Sequence, residues 1–444
     1  FIHILFKMII DETFVLSAIL IFSWAEYFWE LYLLIRQLKI YKTNTTIPDV
    51  LKNMLNAETF EKARLYAMDK LKFRLVKEFY DITISSLFLC AGWFAVAWMK
   101  SEQVLQSFNY SESEIYTSCV FLLFMTLFNY VVNMPFTIYS TFVLEQRHGF
   151  NKQTIGFFVK DQFKSLVVSL VISLPIAAII IYIIALGGNM FVVWLWLFTT
   201  IVTMLLLTIY PSVIAPLFDK FTPLPDGTLR KGIEELASRL KFPLGQIFIV
   251  EGSKRSAHSN AYFSGMFGAK RIVLYDTLIE KFDEEKKTTV GCTESEILGV
   301  LAHELGHWQC NHLYKGLALT ELNLFLLFSA FGFLFKYSLL YTTLGFPAGQ
   351  EPIIIGLIVV LQLILAPYNA ILSFLMTILT RKNEYEADEF AVSLNYAPQL
   401  ETALIKLSKD NLEYPVYDKL YSTWHHSHPT LLHRIENIRN KKRD

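Results

Sequence analysis

His303 and His307 stand four residues apart with a carboxylate between them, in the stretch His303-Glu304-Leu305-Gly306-His307. On a helix, this H-E-x-x-H spacing puts two imidazoles one turn apart on a single face, with Glu304 beside them. A catalytic zinc ion takes about three protein ligands and keeps one position open for water. The two histidines supply a pair of those ligands. Glu304 is then placed to take the proton of the water that the ion activates. The chemistry these residue types support at this spacing is metal-assisted hydrolysis, most often of a peptide bond.

The motif needs a helix to carry it. Residues 296–302 are helical in character and largely apolar, and no proline interrupts the chain from there through Gly316. The rest of the chain is unlike a soluble enzyme. It has 444 residues, 53% of them hydrophobic and only 18% charged, with mean hydropathy +0.38. Soluble domains carry about 25% charged residues, so this is membrane-protein composition. The net charge of zero provides no overall field to recruit nucleic acid. Cys90, Cys119, Cys292 and Cys310 show no C-x-x-C pairing, which gives no disulfide framework and no thiol chemistry. The first apolar run is too long for a cleavable signal peptide and lacks a small-residue cleavage pattern.

About 20 apolar residues in a helix cross a bilayer core. Seven stretches qualify: 14–35, 82–99, 115–139, 165–186, 190–210, 317–344 and 353–379. The connections 36–81, 145–164 and 211–316, Arg381 with Lys382, and the tail from Asn440 to Asp444 carry the basic residues. The connections 101–114, 187–189 and 345–352 are poor in them. The positive-inside rule then predicts the first group in the cytosol, the amino terminus across the membrane and the carboxyl terminus inside. Residues 36–81 read as an amphipathic charged connection. The segment after the fifth span reads as a small α/β piece, with a helix over 229–240, strands over 246–250 and 271–275, a helix beginning at 276–281, and a mobile polar loop over 282–293. The predicted organisation is 1–210 with five membrane helices and charged cytosolic loops, 211–316 as a cytosolic catalytic lobe, 317–380 with two more membrane helices, and 381–444 as a cytosolic C-terminal part. The fold class is a mainly α membrane protein with seven transmembrane helices and a zincin-like metalloprotease lobe.

This topology predicts where the third ligand waits. His307 lies just before the sixth span, and the chain returns to the same side of the membrane at Arg381. A third ligand is therefore expected in Asn383-Glu384-Tyr385-Glu386-Ala387-Asp388-Glu389. Glu384 and Asp388 share a helical face and spacing leaves them equivalent, while Glu386 and Glu389 read as solvated helix surface.

His303-Glu304-Leu305-Gly306-His307 followed by Asn383-Glu384-Tyr385-Glu386-Ala387-Asp388 resembles the Ste24-type CAAX prenyl proteases, integral membrane zinc metalloproteases. Glu145-Gln146-Arg147-His148-Gly149-Phe150-Asn151, Ser256-Ala257-His258-Ser259-Asn260-Ala261-Tyr262-Phe263, and Ser427-His428-Pro429-Thr430 with Arg434 extend the resemblance over nearly the whole chain. The resemblance implies Glu384 as the third zinc ligand beside His303 and His307, and one Zn2+ per chain. Asp388 matches the acid that ends the family motif, where orienting a ligand histidine is a sensible role. Asn260 and His428 match residues that hydrogen-bond substrate or the developing oxyanion. Arg434 is expected to bind either a substrate carboxylate or a structural acid. His425 and His426 read as part of a structural loop. The implied reaction removes the last three residues from prenylated CAAX proteins at the endoplasmic reticulum membrane, with the inner nuclear membrane as a second address and the site facing the cytosol. A second, N-terminal cut in the precursor of the a-factor mating pheromone is implied through the yeast member. The family's spans enclose a water-filled chamber, for which Glu26, Glu30, Asn129 and Asn133 are candidate lining residues, with helix–helix hydrogen bonding the competing role for the asparagines.

Two other classes fit parts of the pattern. A site-2-type intramembrane metalloprotease also uses H-E-x-x-H but needs a later aspartate inside a membrane helix, whereas Asp226-Gly227 precedes the motif in a loop. A seven-span receptor or transporter accounts for the spans but not for Glu304 between the two histidines.

Overall fold

The computed structural model describes residues 11–52, 54–110, 113–265, 268–283 and 288–442. The ten amino-terminal residues, placed across the membrane by the charge pattern, and Arg443 and Asp444 of the basic tail lie outside them. Five helices are long and apolar enough to cross a bilayer: Glu12–Thr43, Glu114–Glu145, Ile155–Leu186, Gly188–Phe218 and His312–Leu334. Two bent helix pairs bring the number to seven if each is one span. Three of the long helices begin at polar caps where backbone N–H groups would otherwise lack partners: Asp11 accepts from the N–H of Phe14, Asn56 from that of Thr59, and Thr154 from that of Phe157. The outward faces of the long rods carry large apolar side chains such as Ile21, Val171, Ile201 and Phe333, each more than half exposed, as expected of surface solvated by lipid tails.

The second expected span straddles one of the bends. Residues 36–81 and 82–99 were separable by charge, but Ala57–Cys90 is one continuous helix that carries both the charged face and the apolar half. The chain then turns by 66° into Trp93–Ser107. Gly92 makes the corner with φ of +61°, a left-handed conformation that costs glycine little. The sixth rod ends at Leu334, earlier than its apolar run, and a short helix Ser338–Thr342 takes up the remainder. The seventh starts at Ile353, passes through a π-helical turn at Val359–Ile364, and bends by 60° before Ala366–Ser393. Pro367 at the start of that last helix has no N–H to bond backwards, and its ring would collide with the preceding turn. The helix Ala366–Ser393 then runs unbroken through residue 380 and out to the acidic motif.

Between the fifth and sixth rods lies a four-stranded sheet in the order β1-β2-β4-β3, from β1 (Phe221–Pro223), β2 (Leu244–Val250), β3 (Ala261–Ser264) and β4 (Lys270–Tyr275). The β2–β4 pair is parallel, with Ile247 beside Ile272 and Ile249 beside Leu274, and the helix Thr228–Arg239, which links β1 to β2, packs against β2. The predicted helix and both predicted strands are present. Residues 276–281 are a turn leading into a strand, not a helix. The polar stretch after it is partly a two-stranded ribbon of β5 (Lys281–Asp283) and β6 (Thr288–Val290), while residues 284–287 lie outside the described residues.

Among the described residues, three large cores hold the parts together, beside a small cluster of Tyr66, Leu144 and Phe150. One fills the membrane bundle around Phe121, Phe331, Tyr341 and Ile355. Another joins the sheet to the motif helix Glu294–Gln309 through Leu274, Leu278, Ile297 and Leu301. A third packs Leu33, Leu34 and Phe60 against Tyr414, Tyr421 and Ile435, tying the first two helices to the C-terminal part. The two family-like loop motifs meet in a latch. Phe150 stacks on His258 at 4.0 Å, Asn151 bridges to Ser256, and Glu145 accepts from Tyr66 Oη at 2.8 Å.

Candidate metal centre

The motif helix is started by a capping box in which Thr293 and Glu296 satisfy each other's backbone N–H groups. One face is buried throughout, with Leu301, Ala302 and Leu305 almost inaccessible. Gly306 decides how closely Ala366–Ser393 can cross it. A Cβ at Gly306 would lie 3.0 Å from the Cα and 3.1 Å from the carbonyl oxygen of Ala387. Only a bare backbone lets the two helices meet at that distance, and the contact places Glu384, one turn before Ala387, opposite His303 and His307.

The donor atoms converge. His303 Nε2 and His307 Nε2 are 3.3 Å apart. Glu384 Oε1 is 3.2 Å from His307 Nε2, and Glu384 Oε2 is 3.6 Å from His303 Nε2. A tetrahedral ion with bonds of about 2.0–2.2 Å spaces its ligand atoms about 3.3–3.6 Å apart. The three side chains therefore fit one zinc-sized ion. Glu384 is moreover nearly buried, so its charge needs a compensating positive partner there. Spacing left Glu384 and Asp388 equivalent, and the fold separates them. Glu384 faces both Nε2 atoms, whereas Asp388 sits behind His303 with Oδ1 2.8 Å from Nδ1. That contact favours the tautomer with its proton on Nδ1 and its lone pair on Nε2.

Arg434, on the helix Leu431–Lys441, grips Asp388 with two hydrogen bonds, from Nε at 2.9 Å and Nη2 at 2.6 Å. Of the two expected partners, it has the structural acid, and its side chain is nearly buried. Burial pushes the Glu304 carboxyl above the ordinary carboxylate value, against the opposing pull of the His303 and His307 imidazoles. His428 lies in the loop before the last helix, 67% exposed, with Nδ1 2.8 Å from Glu384 Oε2. The Glu384 carboxylate raises its pKa. Asn260 immediately precedes β3, an edge strand that lies against the motif helix. It is exposed, and its Oδ1 accepts from the N–H of Ala261. Among the described residues no contact joins it to His303, His307 or Glu384.

The C-terminal histidines separate. His425 pairs with Glu30 at 3.1 Å, His426 packs on Tyr417 and Tyr421, and only His428 reaches the donor cluster. Glu30 also accepts from Trp424 and Arg74, so it ties three helices together at this level of the bundle. Asn133 donates to the carbonyl of Asn129 on its own helix at 2.9 Å, which is neither a helix–helix bond nor evidence of a lining role. Two residues depart from the sequence reading. Glu386 is no simple surface acid, because its Oε2 lies 3.1 Å from His312 Nε2. His312 itself went unnoticed. It follows His307 by five residues across a turn in which Asn311 has φ of +57°, and its Nδ1 comes back to within 2.9 Å of His307 Nδ1. The only sequence signal was a third histidine just beyond the motif.

Comparison with known proteins covers nearly the whole chain. The family described as "CAAX prenyl protease N-terminal, five membrane helices" matches residues 37–220, and "Peptidase family M48" matches residues 223–442. CAAX prenyl protease 1 homologs from Mus musculus and Homo sapiens are each 44% identical, over 98% and 97% of this chain and 97% and 96% of theirs. The CAAX prenyl protease 1 of Saccharomyces cerevisiae is 37% identical over 93% of both chains. The crystal structure of S. mikatae Ste24p superposes with a TM-score of 0.86 at 36% identity, covering 97% of this chain and 99% of that one.

Proposed function

This chain belongs to the CAAX prenyl protease branch of peptidase family M48, and on that premise we propose that it is a membrane metalloprotease that removes the three C-terminal residues from prenylated CAAX proteins. The observation that carries the proposal is the tetrahedral spacing of His303, His307 and Glu384 with Glu304 in the same helical turn. Zinc is the metal this reading assigns, one ion per chain, since two imidazoles and a carboxylate are a donor set it favours.

When bound there, zinc lowers the pKa of a water and polarises the scissile carbonyl. The protein's own groups do the rest. Glu304 Oε accepts the proton of the attacking water and later hands it to the leaving amine. His428 and the free amide of Asn260 are assigned to donate hydrogen bonds to the oxygen that gains charge at the carbonyl. Asp388, held by Arg434, keeps His303 in the tautomer whose Nε2 can bind. The exposed apolar rods supply a lipid-like path for the prenyl chain, which prefers hydrocarbon to water. The reading extends to a cytosol-facing site in the endoplasmic reticulum and inner nuclear membranes, to a water-filled chamber within the bundle, and to a-factor-type precursors as substrates of a second, N-terminal cut.

The test is incubation of the purified protein with a farnesylated CAAX peptide, followed by mass analysis. Loss of the terminal tripeptide, abolished by chelator and restored by zinc, supports the proposal. No cleavage, or cleavage indifferent to chelator, rejects it.

A further inference from the structure

We propose that His312 and Glu386 are positioning residues for His307, forming a Glu386–His312–His307 relay that dictates which ring nitrogen of His307 is left free to bind metal. The inference rests on the reading of His307 as a ligand. His307 Nε2 faces His303 Nε2 and Glu384 Oε1, so it is the nitrogen that must bind, and it can do so only with its lone pair unprotonated. The proton of a neutral His307 then sits on Nδ1. That atom lies 2.9 Å from Nδ1 of His312, a distance that requires one of the two nitrogens to donate and the other to accept. With His307 donating, His312 Nδ1 accepts and its own proton moves to Nε2. There it meets Glu386 Oε2 at 3.1 Å. With both rings neutral, one arrangement of protons satisfies both contacts of His312, and it is the arrangement that presents a lone pair to the ion.

His312 is well placed to act this way. Its ring is nearly buried, stacked edge-on against His307 with centroids 5.1 Å apart, and fixed at the first position of the sixth rod. The two ligand histidines thus have different supports: His303 leans on a carboxylate directly, and His307 reaches one through a second imidazole. Cys310, His312 and Glu386 also lie close enough together to suggest a second cation site. Charge and hydrogen bonding argue for the relay instead. Lys382 Nζ is 3.6 Å from Glu386 and Lys315 adds positive charge to the same corner, while both ring nitrogens of His312 already have partners.

Metal affinity measured by chelator competition on the purified protein tests this without relying on turnover. Supports of this kind typically contribute 10- to 100-fold to metal affinity. His312→Ala and Glu386→Ala should both weaken binding, the first by about that factor, while His312→Asn, with an amide oxygen near the Nδ1 position, recovers part of it. Glu386→Gln, which can still accept from His312, should lose less than Glu386→Ala. Should His312→Ala fail to fold, the two Glu386 variants still decide the matter. Affinity within twofold of wild type in both alanine variants overturns the relay. Two bound metal equivalents, one of them lost in Cys310→Ser, also overturn it in favour of a second cation site. Wild-type protein that binds no metal at all fails the proposed function as well, and is told apart by that measurement alone.

Discussion

Replacing Glu304 by glutamine removes a proton acceptor while leaving the donor atoms of His303, His307 and Glu384 untouched. Peptide cleavage should fall by about 10²–10⁴-fold, the usual worth of a positioned general base, with metal content unchanged by elemental analysis. Loss of metal together with activity would show instead that Glu304 shapes the site. His426 gives a prediction about pH. Burial first, then the nearby His425 and Arg381 charges, depress its pKa from 6.5 to about 4. In the unfolded chain it protonates near 6.5, so between these values the unfolded state binds more protons and stability falls as pH falls. The contribution is at most about 3 kcal/mol. His426→Asn should flatten the decline in thermal stability between pH 6.5 and 4 relative to wild type, and an unchanged slope would assign that decline to other groups. At this scale the sequence was most readable where chemistry is local. The pair His303 and His307 is one helical turn and needs no tertiary information. Choosing Glu384 over Asp388 as the residue facing both Nε2 atoms needed the crossing of two helices, and His312 needed the reversal at Asn311.

The crossing itself is the element that sets the site. Gly306→Ala would press a methyl group against the backbone of Ala387, where no side chain can swing aside. Overpacking of this kind costs about 1–3 kcal/mol and would push Glu384 away from the imidazoles. The expected result is a lower melting temperature together with weaker metal retention. Wild-type values for both would mean that the helices separate without disturbing the ligands. The rods were legible because apolar length is written directly in composition, but their corners were not. Hydropathy does not distinguish a straight run from one that turns at Ala91 and Gly92, and it continued past Leu334 where the helix stops. Residues 276–281 likewise had helical spacing, yet pairing with the ribbon around Cys292 drew them into an extended path.

In the molecule as a whole, the third donor does not belong to a separate lobe that could settle on its own. Glu384 rides on Ala366–Ser393, the same stiff helix whose earlier turns form the seventh span. His303 and His307 hang from a helix that hands over directly to the sixth. A helix advances about 1.5 Å per residue, while ligand distances at zinc tolerate only a few tenths of an ångström. Hydrocarbon that is too thin or too thick for these rods tilts or slides them against each other. Catalysis in vesicles should therefore pass through an optimum as acyl chains are lengthened, with metal lost more readily on either side of it, whereas a flat response would show that the bend before Pro367 absorbs the strain. The bilayer becomes a gauge block for the coordination sphere, and the lipid composition of the surrounding membrane is then one of the settings of the peptidase.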